Sequence, residues 1–303
     1  MQLGFVTAVL GDLTLEQVLA QAATIGYDCV EVMCWPAAGG VDREYGGVCH
    51  IDCGEFTRAK ADDVQALCEK HGVRISALGY YPNPLSHDEA EAQAAQRHLR
   101  KVIDAAALLD VNVNTFIGAN QHLPLDDNLR RFEDVWPELI RYAEDRNRRV
   151  GIENCPMLFE KSWPFGWNLA RTPAIWRRMF EIIPSVHFGL NYDPSHLRMQ
   201  LMDPVAPIHE FGRRIFHAHA KDMRIDQAKL DRMGSLVPPM QRSTAKIPGL
   251  GDVPWGKWIG ALADAGYDGP VCVEVEDEAF EGSLERRIKS LEISHRVLRP
   301  LIA

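Results

Sequence analysis

The sequence predicts an α/β protein, a single (β/α)8 TIM barrel with long loops after strands 5 and 7, from three observations. Eight short apolar, β-rich runs recur along 303 residues, and amphipathic stretches fill the intervals. The mean spacing is about 38 residues, the length of one strand–helix unit repeated eight times. The first strand–helix turn, Gly11-Asp12-Leu13-Thr14, lacks the glycine fingerprint of a dinucleotide-binding fold. Eight alternations therefore favour a closed parallel barrel over an open doubly wound sheet. No Pro-, Gly- or Ser-rich linker divides the chain, so residues 1–303 are read as one domain.

The strands follow in order. Leu3-Gly4-Phe5-Val6 comes first, then Cys29-Val30-Glu31-Val32-Met33, residues 73–78 and residues 111–116. The second half contributes Val150-Gly151-Ile152-Glu153, residues 186–190, Ile215-Phe216-His217-Ala218-His219 and Val271-Cys272-Val273-Glu274-Val275. Helical periodicity occupies residues 14–25, 56–71, 88–109, 128–146 and 284–298. Gly26, Gly72 and Gly266 stand where helices end and strands resume, the place of left-handed caps. Two connections exceed what a barrel needs, residues 155–171 and 222–254. Both leave carboxyl ends of strands, the face on which barrels carry their chemistry, and both are expected to be structureless loops that line or cover a site.

Composition narrows the class. With 46% hydrophobic residues the chain can bury a large core. A formal charge of −9 disfavours binding to phosphate backbones, so no nucleic-acid partner is expected. No run approaches a membrane span, and Met1-Gln2-Leu3-Gly4-Phe5 has no basic region leading into an apolar one. Cysteines number seven, and Cys29, Cys34, Cys155 and Cys272 lie in apolar, strand-like runs. An odd count in such runs suggests buried, reduced thiols and a cytoplasmic location.

Chemistry concentrates at the ends of four consecutive strands. Glu153 ends the fifth, Asp193 the sixth, His219 the seventh and Glu274 the eighth. In a closed barrel these side chains converge at the mouth. Three carboxylates and an imidazole form a hard shell suited to one divalent cation, with Mn2+ preferred and Mg2+, Co2+ and Zn2+ as alternatives. Without a cation, so many carboxylates would repel one another.

Ile152-Glu153-Asn154, Asp193-Pro194-Ser195-His196-Leu197, His217-Ala218-His219-Ala220-Lys221-Asp222, Pro248-Gly249-Leu250-Gly251 and Val273-Glu274-Val275-Glu276-Asp277 carry a resemblance. Together they resemble the xylose isomerase-like barrel superfamily, and within it the sugar phosphate isomerase/epimerase branch. The resemblance implies that Glu153, Asp193, His219 and Glu274 hold one metal and that Glu153 and Glu274 move protons as the catalytic pair. It also implies that His196 contacts substrate oxygens. The implied activity is isomerisation or epimerisation of a small carbohydrate or its phosphate, by proton abstraction next to a carbonyl. The same shell serves a lyase or dehydratase of keto-inositols or 3-keto-glycosides, which is the alternative reading. An apurinic-endonuclease-like nuclease is a remote one, because no His ends the third or fourth strand.

Other residues are candidates for substrate binding. His217 lies two positions before His219, on the same side and one layer deeper. Lys221 and Asp222 could bond hydroxyls or a carboxylate, or form an ordinary ion pair. Glu31 and Tyr80 would face the mouth from the other half of the barrel. Trp35 and Trp163 could stack on a sugar ring. The Pro248–Gly251 turn offers backbone N–H groups that could hold a phosphate. Cys49-His50-Ile51-Asp52-Cys53 invites a zinc reading but lacks a second ligand pair. Homo-oligomerisation stays open.

Overall fold

The computed structural model describes residues 1–37, 46–158 and 163–302. Eight strands close into a parallel barrel: β1 (Gln2–Val6), β2 (Cys29–Met33), β3 (Arg74–Gly79), β4 (Asn112–Thr115), β5 (Val150–Glu153), β6 (Phe188–Tyr192), β7 (Ile215–Ala220) and β10 (Pro270–Val273). Closure is made by β10 on β1, where Leu3 pairs with Val271 and Phe5 with Val273. The strands read as continuous apolar runs because both faces are covered, by helices outside and by barrel side chains inside. All five residues of β2 and of β6 are buried.

The helices form where the periodicity placed them, with caps that explain their ends. Thr14 and Gln17 make a reciprocal capping box at the start of α1 (Leu15–Ile25), and Gly26, at φ 100°, ends it. Helix α2 (Arg58–His71) stops at Gly72 in the same conformation. Helix α3 (Glu89–Leu109) is capped by Asp88, whose carboxylate accepts from the N–H groups of Ala90 and Glu91. Helix α4 (Leu125–Glu144) begins a turn earlier than expected. Pro124 precedes it, and Asp126 and Asp127 favour its positive first turn. Its inner face buries Leu129, Phe132, Trp136, Leu139, Ile140 and Ala143, each large side chain stabilising by about 1.5–3 kcal/mol. Helices α5 (Pro173–Ile182), α6 (Ser195–Met199) and α7 (Ala206–Phe211) complete the fifth and sixth units. Among the described residues no helix is long and apolar enough to cross a membrane.

The connection after β7 departs from the expected structureless loop. It holds β8 (Asp222–Ile225) and β9 (Ser243–Lys246), paired antiparallel, with α8 (Gln227–Met233) between them. Asp222 organises it: Oδ1 accepts from the N–H groups of Met223 and Val253, and Oδ2 from Gly249 N–H and the Trp255 indole. A Cβ on Gly251 would lie 2.3 Å from Asp222 Oδ1, so this close approach requires glycine. Helix α9 (Trp255–Asp264) then returns to β10, and α10 (Leu284–Leu298) packs beside β1.

A register shift in β3 positions the mouth. Val30 pairs with Ile75, but Glu31 pairs with Ala77, so Ser76 is an extra residue. An inserted residue reverses the in–out alternation beyond it. Ser76 still faces inward low in the barrel, touching His217, while above it the Gly79 Cβ position points at Glu31 Oε1.

Candidate metal and substrate site

Glu153 closes β5, Asp193 directly follows β6, His219 is the fifth residue of β7 and Glu274 directly follows β10. One oxygen each of Glu153, Asp193 and Glu274 and one nitrogen of His196 lie within 4.8 Å of one another. His219 Nδ1 faces the same carboxylates, 3.7 Å from Glu153 Oε1 and 3.6 Å from Glu274 Oε2. The strand ends are tied together locally. The Asn154 side chain donates to Asp193 O and accepts from Asp193 N–H, at 2.9 and 2.7 Å. Asp193 Oδ1 accepts from Ser195 N–H at 2.7 Å, which leaves Oδ2 to face the site.

A buried carboxylate sets the orientation of His219. Glu31 Oε2 lies 2.7 Å from His219 Nε2, and Tyr81 OH donates to Glu31 Oε1. Burial raises the cost of charging Glu31, but His219 outweighs it and holds the carboxyl below its usual range. A carboxylate at that distance accepts from Nε2–H and leaves Nδ1 facing Glu153 and Glu274. Burial opposes charge on the ring, but Glu31 and Glu274 raise its pKa well above the usual imidazole value, so ligation through Nδ1 would release a proton. His217 lies beneath, with Nδ1 3.0 Å from Asn191 Oδ1 and Nε2 3.1 Å from Ser76 Oγ. Burial depresses its pKa to about 4, so it is neutral under ordinary conditions.

The donor set fits a divalent cation. His219 Nδ1 and Asp193 Oδ2 are buried and make no hydrogen bond, a costly condition unless something else satisfies them. Burial disfavours the charge of Glu153, yet His196 and His219 hold its pKa at about 2. For Glu274, Lys221 and His219 overcome the same penalty and keep it well below the carboxylate range. Both glutamates are thus ionised. Among the described residues, buried Lys221 is the lysine paired with these carboxylates, with Nζ 2.6 Å from Glu274 Oε2, 3.0 Å from Glu276 Oε2 and 3.6 Å from Asp193 Oδ2. Burial alone would lower its pKa, and these carboxylates raise it well above the usual lysine value.

These groups open into a cavity of about 320 Å3, at the lower end of small-molecule sites. Glu153, His196, Lys221 and Glu274 line it, beside Trp35, Tyr81, Met33 and Met223. His196 Nε2 stands 3.2 Å from Glu153 Oε1 and 3.3 Å from Asp193 Oδ2.

Several expected residues stand elsewhere. Tyr80 does not face the mouth; its ring packs edge-on against Trp35 and His98, and Tyr81 faces in because the extra residue in β3 reverses the alternation. Trp163 is half-buried outside the cavity lining, in a connection whose residues 159–162 are outside the described ones. His217 also lies outside the lining and acts through Asn191 and Ser76. Asp222 is neither a surface ion-pair partner nor a hydroxyl binder, because both its oxygens are committed to backbone and indole donors. The Gly249 and Val253 N–H groups are spent on that carboxylate, which removes them from a phosphate site. His50 bonds Thr7 and the Leu13 carbonyl, so it is not free for zinc. Cys155 is half-buried in the cavity wall beyond the end of β5, not enclosed in a strand. Tyr81, Glu276 and Cys155 also line the cavity. Glu276 and Cys155 each stand two residues past a strand-end glutamate, a spacing that marks the same face, whereas Tyr81 is turned inward only by the extra residue in β3.

The profile of the family described as xylose isomerase-like TIM barrel matches residues 19–301. YfiH of Bacillus subtilis (strain 168) is 28% identical, over 91% of this chain and 93% of its own length. Inosose dehydratase of Clostridium tetani (strain Massachusetts / E88) is 27% identical, over 52% of this chain and 53% of the dehydratase. Among solved structures, D-psicose 3-epimerase in the presence of D-fructose superposes with a TM-score of 0.72 at 15% identity, covering 100% of this chain and 99% of that one. The IolI protein with a bound zinc atom gives 0.72 at 17% identity, covering 100% and 98%. At these identities the structural likeness speaks to the fold.

Proposed function

The chain belongs to the xylose isomerase-like TIM barrel family, and from that premise we propose that it is a divalent-metal-dependent isomerase or epimerase of a small sugar. The observation that carries the reading is the pair of ionised glutamates, Glu153 and Glu274, flanking His219 Nδ1 at 3.7 and 3.6 Å. Glu153, Asp193, His219 and Glu274 would hold the cation, which supplies electron withdrawal from a carbonyl and an adjacent hydroxyl of the substrate. Mn2+ is our choice, on the oxygen-rich donor set. Either glutamate is a base able to take the proton from the carbon next to the carbonyl. The other returns it, to the opposite face for an epimer or to the neighbouring carbon for an isomer. His196, close to both Glu153 and Asp193, hydrogen-bonds a substrate oxygen, and Lys221 holds Glu274 and Glu276 in place while facing the cavity.

A free sugar is favoured over a sugar phosphate. In the turn that could have cradled a phosphate, the Gly249 N–H goes to Asp222 and the Leu250 N–H to the Ile247 carbonyl, and Glu276, Glu278 and Glu281 line the cavity with negative charge. The inosose dehydratase relative favours one second reading, loss of water from a keto-inositol by the same proton abstraction. Incubating the Mn2+-supplemented protein in D2O with ketoses and with keto-inositols, followed by proton NMR, tests both. Deuterium on carbon of a ketose with an intact skeleton is expected. Loss of water from a keto-inositol with no exchange into any ketose would replace the first reading by the second, and no exchange anywhere would end both.

A further inference from the structure

Cys155 brings a sulfur to the cavity that the proton-transfer reading leaves without a role. Its thiol, an oxygen of Glu153 and a nitrogen of His196 lie within 4.8 Å of one another, and all three residues line the cavity. Cys155 stands two residues beyond Glu153, the last residue of β5, and both side chains face the cavity. The intervening Asn154 turns away to bond the Asp193 backbone. His196 is 4% exposed, and its Nδ1 makes no hydrogen bond. The sulfur touches Met157 Sδ at 3.4 Å and interacts with the His196 ring.

We propose that Cys155, His196 and Glu153 form a second metal site that selects thiophilic cations such as Zn2+ and Cd2+. Thiolate, imidazole and carboxylate with an open fourth position make the donor mixture that zinc takes, whereas Mn2+ and Mg2+ gain little from sulfur. On binding, the Cys155 S–H proton leaves to solvent, any proton on the ligating His196 nitrogen leaves with it, and the metal keeps its oxidation state. The two sites share Glu153, so they compete. A hard cation belongs to the oxygen-rich centre made with Asp193, His219 and Glu274. A soft one draws Glu153 and His196 toward Cys155, and Zn2+ therefore inhibits the Mn2+-supplemented protein. The proposal shares Glu153 with the metal reading above but does not depend on the reaction.

Titration of the chelator-treated protein with Cd2+, followed by calorimetry and by the ultraviolet sulfur-to-cadmium charge-transfer band, tests it. The wild type is expected to develop the band and saturate, and Cys155→Ser to lose it with at least about a tenfold drop in Cd2+ affinity. Mn2+ affinity, measured on the same variant, stays within about threefold, because sulfur contributes little to a hard ion. Iodoacetamide labelling of the wild type, read at Cys155 by mass spectrometry, is slowed by Zn2+ and not by Mg2+; this arm does not depend on the variant folding. Persistence of the band in Cys155→Ser or of labelling under Zn2+ overturns the proposal, as does equal loss of Mn2+ and Cd2+ binding. A wild type that binds Cd2+ through Cys155 but no Mn2+ would instead overturn the four-residue centre and leave this site standing.

Discussion

Glu31 is fully buried and accepts from Tyr81 while standing 2.7 Å from His219 Nε2, so its charge fixes which imidazole nitrogen faces the cavity. A neutral amide of the same size cannot hold that proton as strongly and can turn its NH2 toward Nε2, releasing the ring to the other tautomer. Glu31→Gln is therefore expected to weaken Mn2+ binding by about 10–100-fold, the usual effect of losing a carboxylate behind a ligating histidine. Calorimetry on the folded variant checks it, and unchanged affinity would show that Glu31 supports the barrel but not the site. The glutamate itself could be placed at the mouth from strand position, but its partner lies 188 residues away and on β7, across the barrel lumen. Tyr81 was illegible for a different reason. Counting by twos along β3 selects Tyr80, and only the pairing of Glu31 with Ala77 reveals the extra residue that turns Tyr81 inward.

The excursion after β7 carries cavity-lining residues Met223, Met240 and Ala245, so its attachment matters to the site. A two-stranded hairpin is marginal alone and needs outside support. Asp222 supplies four acceptances, Asp252 accepts from Ile225 N–H at 2.7 Å, and Lys246 pairs with buried Asp277 at 2.5 Å. Those anchors are tertiary, which is why the polar run from 222 to 254 read as loop. Asp222→Asn replaces one acceptor oxygen by a donor NH2 against two hydrogen-bond donors. The expected cost is about 2–4 kcal/mol from lost charge-assisted bonds and newly unsatisfied groups. Urea unfolding measures it, and a loss below about 0.5 kcal/mol, the range of an indifferent surface change, would remove Asp222 from its organising role.

At the scale of the whole barrel, the sequence is legible because one pattern repeats eight times and each repeat is punctuated. Glycines at 26 and 72 take the left-handed caps expected of them, and all eight expected strands overlap the observed ones. Glu153, Asp193, His219 and Glu274 converge because β5, β6, β7 and β10 are neighbours in the closed order, and topology alone supplies that adjacency. A cation held there would join four strands of the barrel, so binding must register as stability of the whole fold. At a concentration one hundred times Kd, a ligand specific to the folded state adds about 2.7 kcal/mol. With an unfolding entropy of about 2 cal/mol/K per residue, a chain of 303 residues should gain about 4 °C in Tm. Scanning calorimetry with Mn2+ and with chelator measures the shift in the wild type and in two variants. His219→Ala removes the unsatisfied Nδ1 that faces both glutamates, and its shift should vanish. His196→Ala should keep most of the shift while losing proton exchange, because its imidazole is assigned to the substrate. A retained shift in His219→Ala together with a lost one in His196→Ala would transfer the ligand role to His196, which lies within 4.8 Å of the same three carboxylates.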